Sequence, residues 1–289
     1  LPLFTSDWHN ALKLGFDVQG LCYPPWLLLL LAEAGIDPHC LPRVLEPGTA
    51  VGSVSAALGL SPTCQVVAGT TDSIAAFLAS GADTPGQAVT SLGSTLAIKA
   101  LSSTFAEDSN RGIYSHRLGP PGPLGDQWLV GGASNVGCAI LRQEAFSEEE
   151  LARLSAEIDP HEDAPLASVY YPLTLPGERF PENDPNKQPV LEPKPLRGGG
   201  IGGIDRRAYL QGILGSIALV ERRGYDALEE LGATPVRQVL TAGGGARNDM
   251  WTAMRGRVLG RETSRASNTD AAFGCALLGL KYAQRDTQT

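Results

Sequence analysis

Three times along the 289 residues an apolar run ends in a turn of small residues and passes into a helix-like stretch: QVVAGTTDSIAAFLASG from Gln65, WLVGGASNVGCAILRQ from Trp128 and QVLTAGGGARNDMW from Gln238. Short apolar runs stopped by glycine read as buried strands, and the stretches that follow carry helix lengths and end signals. A chain that alternates in this way must stack helices on a sheet, so the fold class is α/β. Part of the pairing is antiparallel. GQAVTSLGSTLAIKALS reads as a hairpin, its strands around Val89 to Leu92 and Leu96 to Ile98 joined by Gly93, Ser94 and Thr95.

Elsewhere, Asp205 can cap a long helix that runs to Leu231 and stops at Gly232. A last helix near 270–283 is lined by Ala271, Ala272, Gly274, Cys275 and Ala276, small residues that permit close backbone packing. Eight prolines between Ala164 and Gly200 leave little room for regular structure there. WLLLLLAEAGI (Trp26 to Ile36) is far short of the ~20 apolar residues needed to span a bilayer and reads as a buried helix.

With 43% apolar and 19% charged residues, the chain can bury a sizeable core. Its net charge of −8 is the reverse of what phosphate-backbone binding requires, which excludes nucleic acid as a partner. The five cysteines form no CxxC pair and the four histidines no HxxH, so neither a disulfide framework nor a metal centre is expected. Most of the histidines read as surface or loop residues, and Glu148, Glu149 and Glu150 as a solvated face at a helix start, favouring its dipole.

The turns carry the chemistry. Gly243, Gly244 and Gly245, between a strand and a helix that Asn248 can cap, let backbone N–H groups approach a nucleotide; they suit a tight turn equally well. The run is neither a dinucleotide fingerprint, because Asn248 occupies the third glycine position, nor a Walker loop, because no GKS or GKT follows. Gly93, Ser94 and Thr95 offer donors and two hydroxyls to phosphoryl oxygens, or form an ordinary β-turn. Trp251 offers a flat face to a purine or packs in the core. Asp72 caps its helix or acts as a base aimed into a cleft.

Taken together, GTTDSIAA, TSLGST, GGASNVG, GERFPENDP (Gly177 to Pro185) and TAGGGARNDMW stand in the order and approximate spacing of the FGGY carbohydrate kinases. The resemblance runs through essentially the whole chain and is closest to the plant and cyanobacterial xylulose- or ribulose-kinase-like branch. It implies the actin-like ATPase fold, built from two ribonuclease-H-like domains around a cleft. Here it implies the end of a sugar-binding domain (1–83) and a complete nucleotide-binding domain (84–289). It also implies ATP-dependent phosphorylation of a sugar hydroxyl, with D-ribulose or D-xylulose expected, and MgATP as co-substrate. Asp72 matches the general base; Gly93, Ser94 and Thr95 match a phosphate turn; Gly137, Gly244, Gly245, Asn248 and Trp251 match the nucleotide site. For Glu178 and Arg179 a structural role in a proline-stiffened loop is expected.

The family's DxGT hairpin has no counterpart here, so the chain is expected to be the C-terminal portion of a longer polypeptide. The alternative is a nucleotide-binding but inactive fragment or partner subunit; a dehydrogenase ranks below both. An intracellular reducing compartment, cytoplasm or plastid stroma, follows from the cysteine usage and the resemblance.

Overall fold

The computed structural model describes residues 4–119, 126–195 and 204–286. It opens with β1 (Thr5–Asp7) and a single turn α1 (Trp8–Ala11), then α2 (Pro25–Glu33), β2 (Arg43–Leu45), β3 (Ala50–Ser53), β4 (Gln65–Val67) and α3 (Asp72–Ala79). There follow β5 (Gln87–Leu92), β6 (Leu96–Ser102), β7 (Tyr114–Arg117), β8 (Trp128–Ser134), α4 (Ala139–Gln143), α5 (Glu148–Ala156) and the long α6 (Arg206–Glu230). The last elements are β9 (Gln238–Ala242), α7 (Asp249–Leu259), β10 (Glu262–Arg265) and α8 (Ala271–Asp286).

Two compact units result. One comprises Leu1–Gly81, His116–Gln127 and Asn268–Thr289; the other comprises Ala82–Ser115 and Trp128–Ser267. The break at Gly81 falls two residues from the expected boundary at 83. By its contacts the C-terminal helix groups with the first unit.

In the first unit β1 pairs with β2 in parallel, β3 with β4 antiparallel, and α8 packs on α3. The small residues of α8 explain that contact: a Cβ on Gly274 would stand 1.8 Å from the Ala75 carbonyl oxygen, so only glycine lets the two backbones come this close. Ile74, Ala75 and Phe77 are buried on α3. Two expectations fail in this unit. The leucine-rich helix forms as α2 but is not buried, with Trp26 59%, Leu29 64% and Leu30 55% exposed. β4 is a largely exposed strand, not a buried one. An apolar pattern sets which face a helix can bury, whereas burial itself needs a packing partner over the whole face, and most of these two faces stays exposed among the described residues. His9 is buried at 2% exposure, its Nδ1 2.7 Å from Thr70 Oγ1 and its Nε2 2.6 Å from the Arg117 carbonyl and 3.1 Å from Trp8 Nε1; polar partners on both ring nitrogens make a core histidine tolerable.

The second unit is built on a sheet of order β10-β9-β5-β6-β8-β7. β5, β9 and β10 run parallel, and β5-β6-β8 is antiparallel, with Leu92 opposite Leu96 across the predicted hairpin turn. Asp205 caps α6 through the N–H groups of Arg207 and Ala208, and Gly232 ends it at φ +86°. Phe180, fully buried, fills the gap between sheet and helix: added Cβ atoms on Gly132 of β8 and Gly224 of α6 would each collide with its ring. The proline-rich stretch holds one short 3₁₀ turn (Pro165–Ser168) and isolated bridges; its last residues, 196–200, lie outside the described residues, as does Gly125 before β8.

Candidate functional site

The hairpin turn between β5 and β6 is held from behind. Its Gly93 and Ser94 carbonyls accept the N–H groups of Cys138 (2.9 Å) and Ala139 (3.2 Å) at the start of α4. Gly137 makes this possible, since a Cβ there would lie 2.5 Å from both the Ser94 carbonyl oxygen and Thr95 Cα. With the carbonyls engaged, the Ser94 and Thr95 N–H groups have no hydrogen-bond partner among the described residues, and both residues are exposed. Outward-facing N–H groups of this kind form an anion-binding concavity.

The turn after β9 has the same character. Gly243 takes φ +83°, and a Cβ there would also stand 2.6 Å from the Leu92 carbonyl oxygen, so the position suits glycine on both counts. Gly244 to Arg247 make a 3₁₀ turn, after which Asn248 caps α7, its Oδ1 accepting the Trp251 N–H at 3.0 Å. The other end of the Asn248 amide donates to Ser155 Oγ of α5 at 2.8 Å. Gly244 faces open space, whereas a Cβ on Gly245 would meet Leu92 and Trp251 at 2.7 Å.

Both turns border one cavity of about 820 Å³, within the usual range for a small-ligand site. Of the expected site residues, Gly93, Ser94, Gly244, Gly245, Asn248 and Trp251 line it; Thr95 and Gly137 do not. One part of the lining is apolar (Leu141, Phe146, Leu151, Leu214) and another carries Ser94, Arg142 and Arg247. Trp251 matches the packing alternative: it is 1% exposed and donates its indole N–H to the Leu214 carbonyl at 3.0 Å, so it forms floor, not an open stacking face. Cys138 also lines the cavity, and burial pushes its thiol up to about 11. Glu148, read as part of a solvated face, borders the cavity, while Glu150 pairs with Arg206 at 2.9 Å. Ser147 caps that helix by accepting the Glu150 N–H.

Two buried acids stiffen the surroundings. Glu178, 2% exposed, accepts from Ser134 Oγ (2.7 Å), Asn135 N–H (2.7 Å), Tyr171 OH (3.0 Å) and Arg179 N–H (2.9 Å), and so fixes the β8 turn that braces the hairpin. Burial, reinforced by this carboxylate, drives the Tyr171 phenol far up. The structural role expected of GERFPENDP is therefore concrete. Beneath the glycine turns, Arg255 of α7 clasps Glu221 of α6 (2.7 and 2.6 Å) and donates to Thr241 of β9, while Thr90 of β5 donates to Glu221 at 2.5 Å. Burial opposes the Arg255 charge, but Glu221 outweighs it and holds that pKa above its usual value. Sequence offered no signal for this pair, 34 residues apart on different helices.

Asp72 lies in the first unit, apart from this cavity in the division of the chain. It is exposed at the first position of α3, its Oδ1 accepting the adjacent Ser73 N–H at 2.7 Å. The N-cap is Thr71, which makes no side-chain capping bond and whose Oγ1 is buried without a hydrogen-bond partner. No cluster of three metal-ligating side chains occurs among the described residues, and no helix among them is long and apolar enough to cross a membrane.

Residues 102–283 match the C-terminal domain of the FGGY family of carbohydrate kinases. The chain belongs to this family. Among curated FGGY relatives it is 25% identical to a gluconokinase of Bacillus licheniformis, over 96% of this chain and 55% of that protein. It is 32% identical to a xylulose kinase of Streptomyces coelicolor, over 80% of this chain and 44% of that one. The chain thus spans about half the length of the curated relatives it matches. Its fold is similar to that of a solved xyloylose kinase from Brucella ovis, with a TM-score of 0.77 at 23% identity, covering 97% of this chain and 57% of that one. The architecture of the FGGY chain is the actin-like ATPase fold expected from its motifs.

Proposed function

We propose that this chain supplies the nucleotide half, and the catalytic base, of an ATP-dependent sugar kinase. The observation that carries the reading is the cavity shared by the two turns, with unsatisfied N–H groups at Ser94 and Thr95, an open Gly244 and an apolar wall on which an adenine can rest. Phosphoryl transfer asks little covalent chemistry of a protein: the transition state is loose, and positioning with charge neutralisation does most of the work. Backbone donors at fixed positions suit that task because they need no reorganisation as charge moves.

In this reading Ser94, Thr95, Gly244 and Gly245 hold the phosphates, Asn248 and Gly137 keep the turns in place, and Trp251 forms the floor under the nucleotide. Mg²⁺ arrives bound to the phosphate oxygens, where it neutralises charge, so a dedicated protein cage is not required. Asp72 takes the proton of the attacking sugar hydroxyl, a role worth ~10²- to 10⁴-fold in rate. The substrate is a ketopentose, D-ribulose or D-xylulose; the support is the order of the motifs and the xylulose kinases among the relatives. The compartment is a reducing one, cytoplasm or plastid stroma, consistent with the five free thiols.

The test is ATP-dependent phosphorylation of a ketose panel by the chain joined to an FGGY N-terminal half, beside its Asp72→Asn variant. A loss of roughly 10²-fold or more in kcat, with ATP affinity kept, is expected. Unchanged turnover in the variant removes Asp72 from the role. ATP binding without sugar phosphate in either protein establishes the non-catalytic alternative instead.

A further inference from the structure

The chain carries 31 acidic against 23 basic residues, so an arginine has acids to spare as partners. Arg111, Arg117, Arg153, Arg206, Arg222, Arg255, Arg257 and Arg261 use them. Several other arginines do not, and of these Arg247 and Arg142 line the same cavity, where Arg142 is the one bonded to the Ser94 turn. It projects from α4 into the lining of the 820 Å³ cavity and makes no ion pair among the described residues. Among the described residues its guanidinium makes one hydrogen bond, from Nη2 to Ser94 Oγ at 3.2 Å, on the very turn whose N–H groups stand unpaired. The helix that carries it is fixed to the same turn through Cys138 and Ala139, so the base of the Arg142 side chain and the backbone donors keep a constant spacing.

A guanidinium has five donors in a planar fork that matches phosphate oxygens two at a time. Ser94 occupies one of them. We propose that Arg142 is the phosphate-reading residue of the site: resting on Ser94 Oγ, it presents its remaining donors to the terminal phosphoryl oxygens of the nucleotide and makes the pocket distinguish ATP from adenosine. The counter-charge that no carboxylate provides comes with the ligand. This assignment rests on the nucleotide reading above and gives one side chain responsibility for phosphate number.

The test measures binding of adenosine, ADP and ATP to the chain and to its Arg142→Ala and Arg142→Lys variants by titration calorimetry, with thermal melts as a folding control. Because Arg142 is exposed, melting should not move. Alanine is expected to weaken ATP binding roughly 10- to 100-fold, the scale of a hydrogen bond to a charged group, while adenosine affinity stays within about twofold of the parent value. Lysine restores charge without the fork and should fall between. Equal losses for adenosine and ATP would make Arg142 a structural residue and overturn the proposal, as would an unchanged ratio of ATP to adenosine affinity. A parent chain that binds neither ligand refutes the nucleotide reading and this inference together, an outcome distinct from a parent that binds and a variant that discriminates equally well.

Discussion

Alanine at Gly244 and alanine at Gly245 should act in opposite ways, although the two positions are adjacent and identical in sequence. A Cβ on Gly245 would stand 2.7 Å from Leu92 Cβ and 2.7 Å from Trp251 Cζ3. Carbon pairs settle at about 3.5–4.0 Å, so each neighbour would have to retreat by close to 1 Å. Neither has room, both being 1% exposed and Trp251 being tied to Leu214. Overpacking of this kind costs about 1–3 kcal/mol, which for a unit of this size lowers Tm by roughly 2–12 °C. Around Gly244 no atom lies within 4 Å, and its φ is outside the left-handed region, so alanine is tolerated there. Restricting the unfolded chain should even add about 0.4–1 kcal/mol. That methyl points into ligand space, however, and should weaken ATP binding by about tenfold or more, one unfavourable contact of ~1.4 kcal/mol being enough. Thermal melts and ATP titrations of the two variants decide the matter. If Gly244→Ala melts as early as Gly245→Ala, or binds ATP as well as the parent, the reasoning about this turn is wrong.

Two further outcomes are expected. Arg255→Met should destabilise the chain by about 3–5 kcal/mol in urea unfolding, because it strands the buried Glu221 carboxylate, and adding Glu221→Leu should recover most of the loss. Cys138, its thiol pushed up to about 11 by burial, should react with iodoacetamide at pH 8 far more slowly than the exposed Cys22, Cys40, Cys64 and Cys275. Since the folded state holds that proton more tightly than the ordinary thiol value of 9.0 implies, its stabilising contribution is complete below pH 9 and is lost as pH rises toward 11. Mass spectrometry of the labelled peptides across pH 7 to 11 reads the first effect, and melts of the parent beside Cys138→Ala read the second.

What the sequence determined by itself was everything decided within a few residues. The hairpin around Gly93, the cap of α6 at Asp205, the cap of α7 at Asn248 and the stop at Gly232 depend on φ values and on side chains hydrogen-bonding to their own neighbours, and each stands where its residues imply. That α8 can pack closely was legible from its small residues; that its partner is α3 was not. Tertiary structure decided what depends on partners distant in the chain. Burial could not be read from apolarity, as α2 shows by remaining exposed and His9 by being buried. Nor could sequence choose between the stacking and packing roles of Trp251, since that turns on whether α6 lies over its ring. The brace from Glu178 across 44 residues to Ser134, and the seat of Arg142 on Ser94 across 48, arise because the sheet brings together strands that the chain keeps apart; no local propensity encodes a hydrogen bond that only the folded sheet can close.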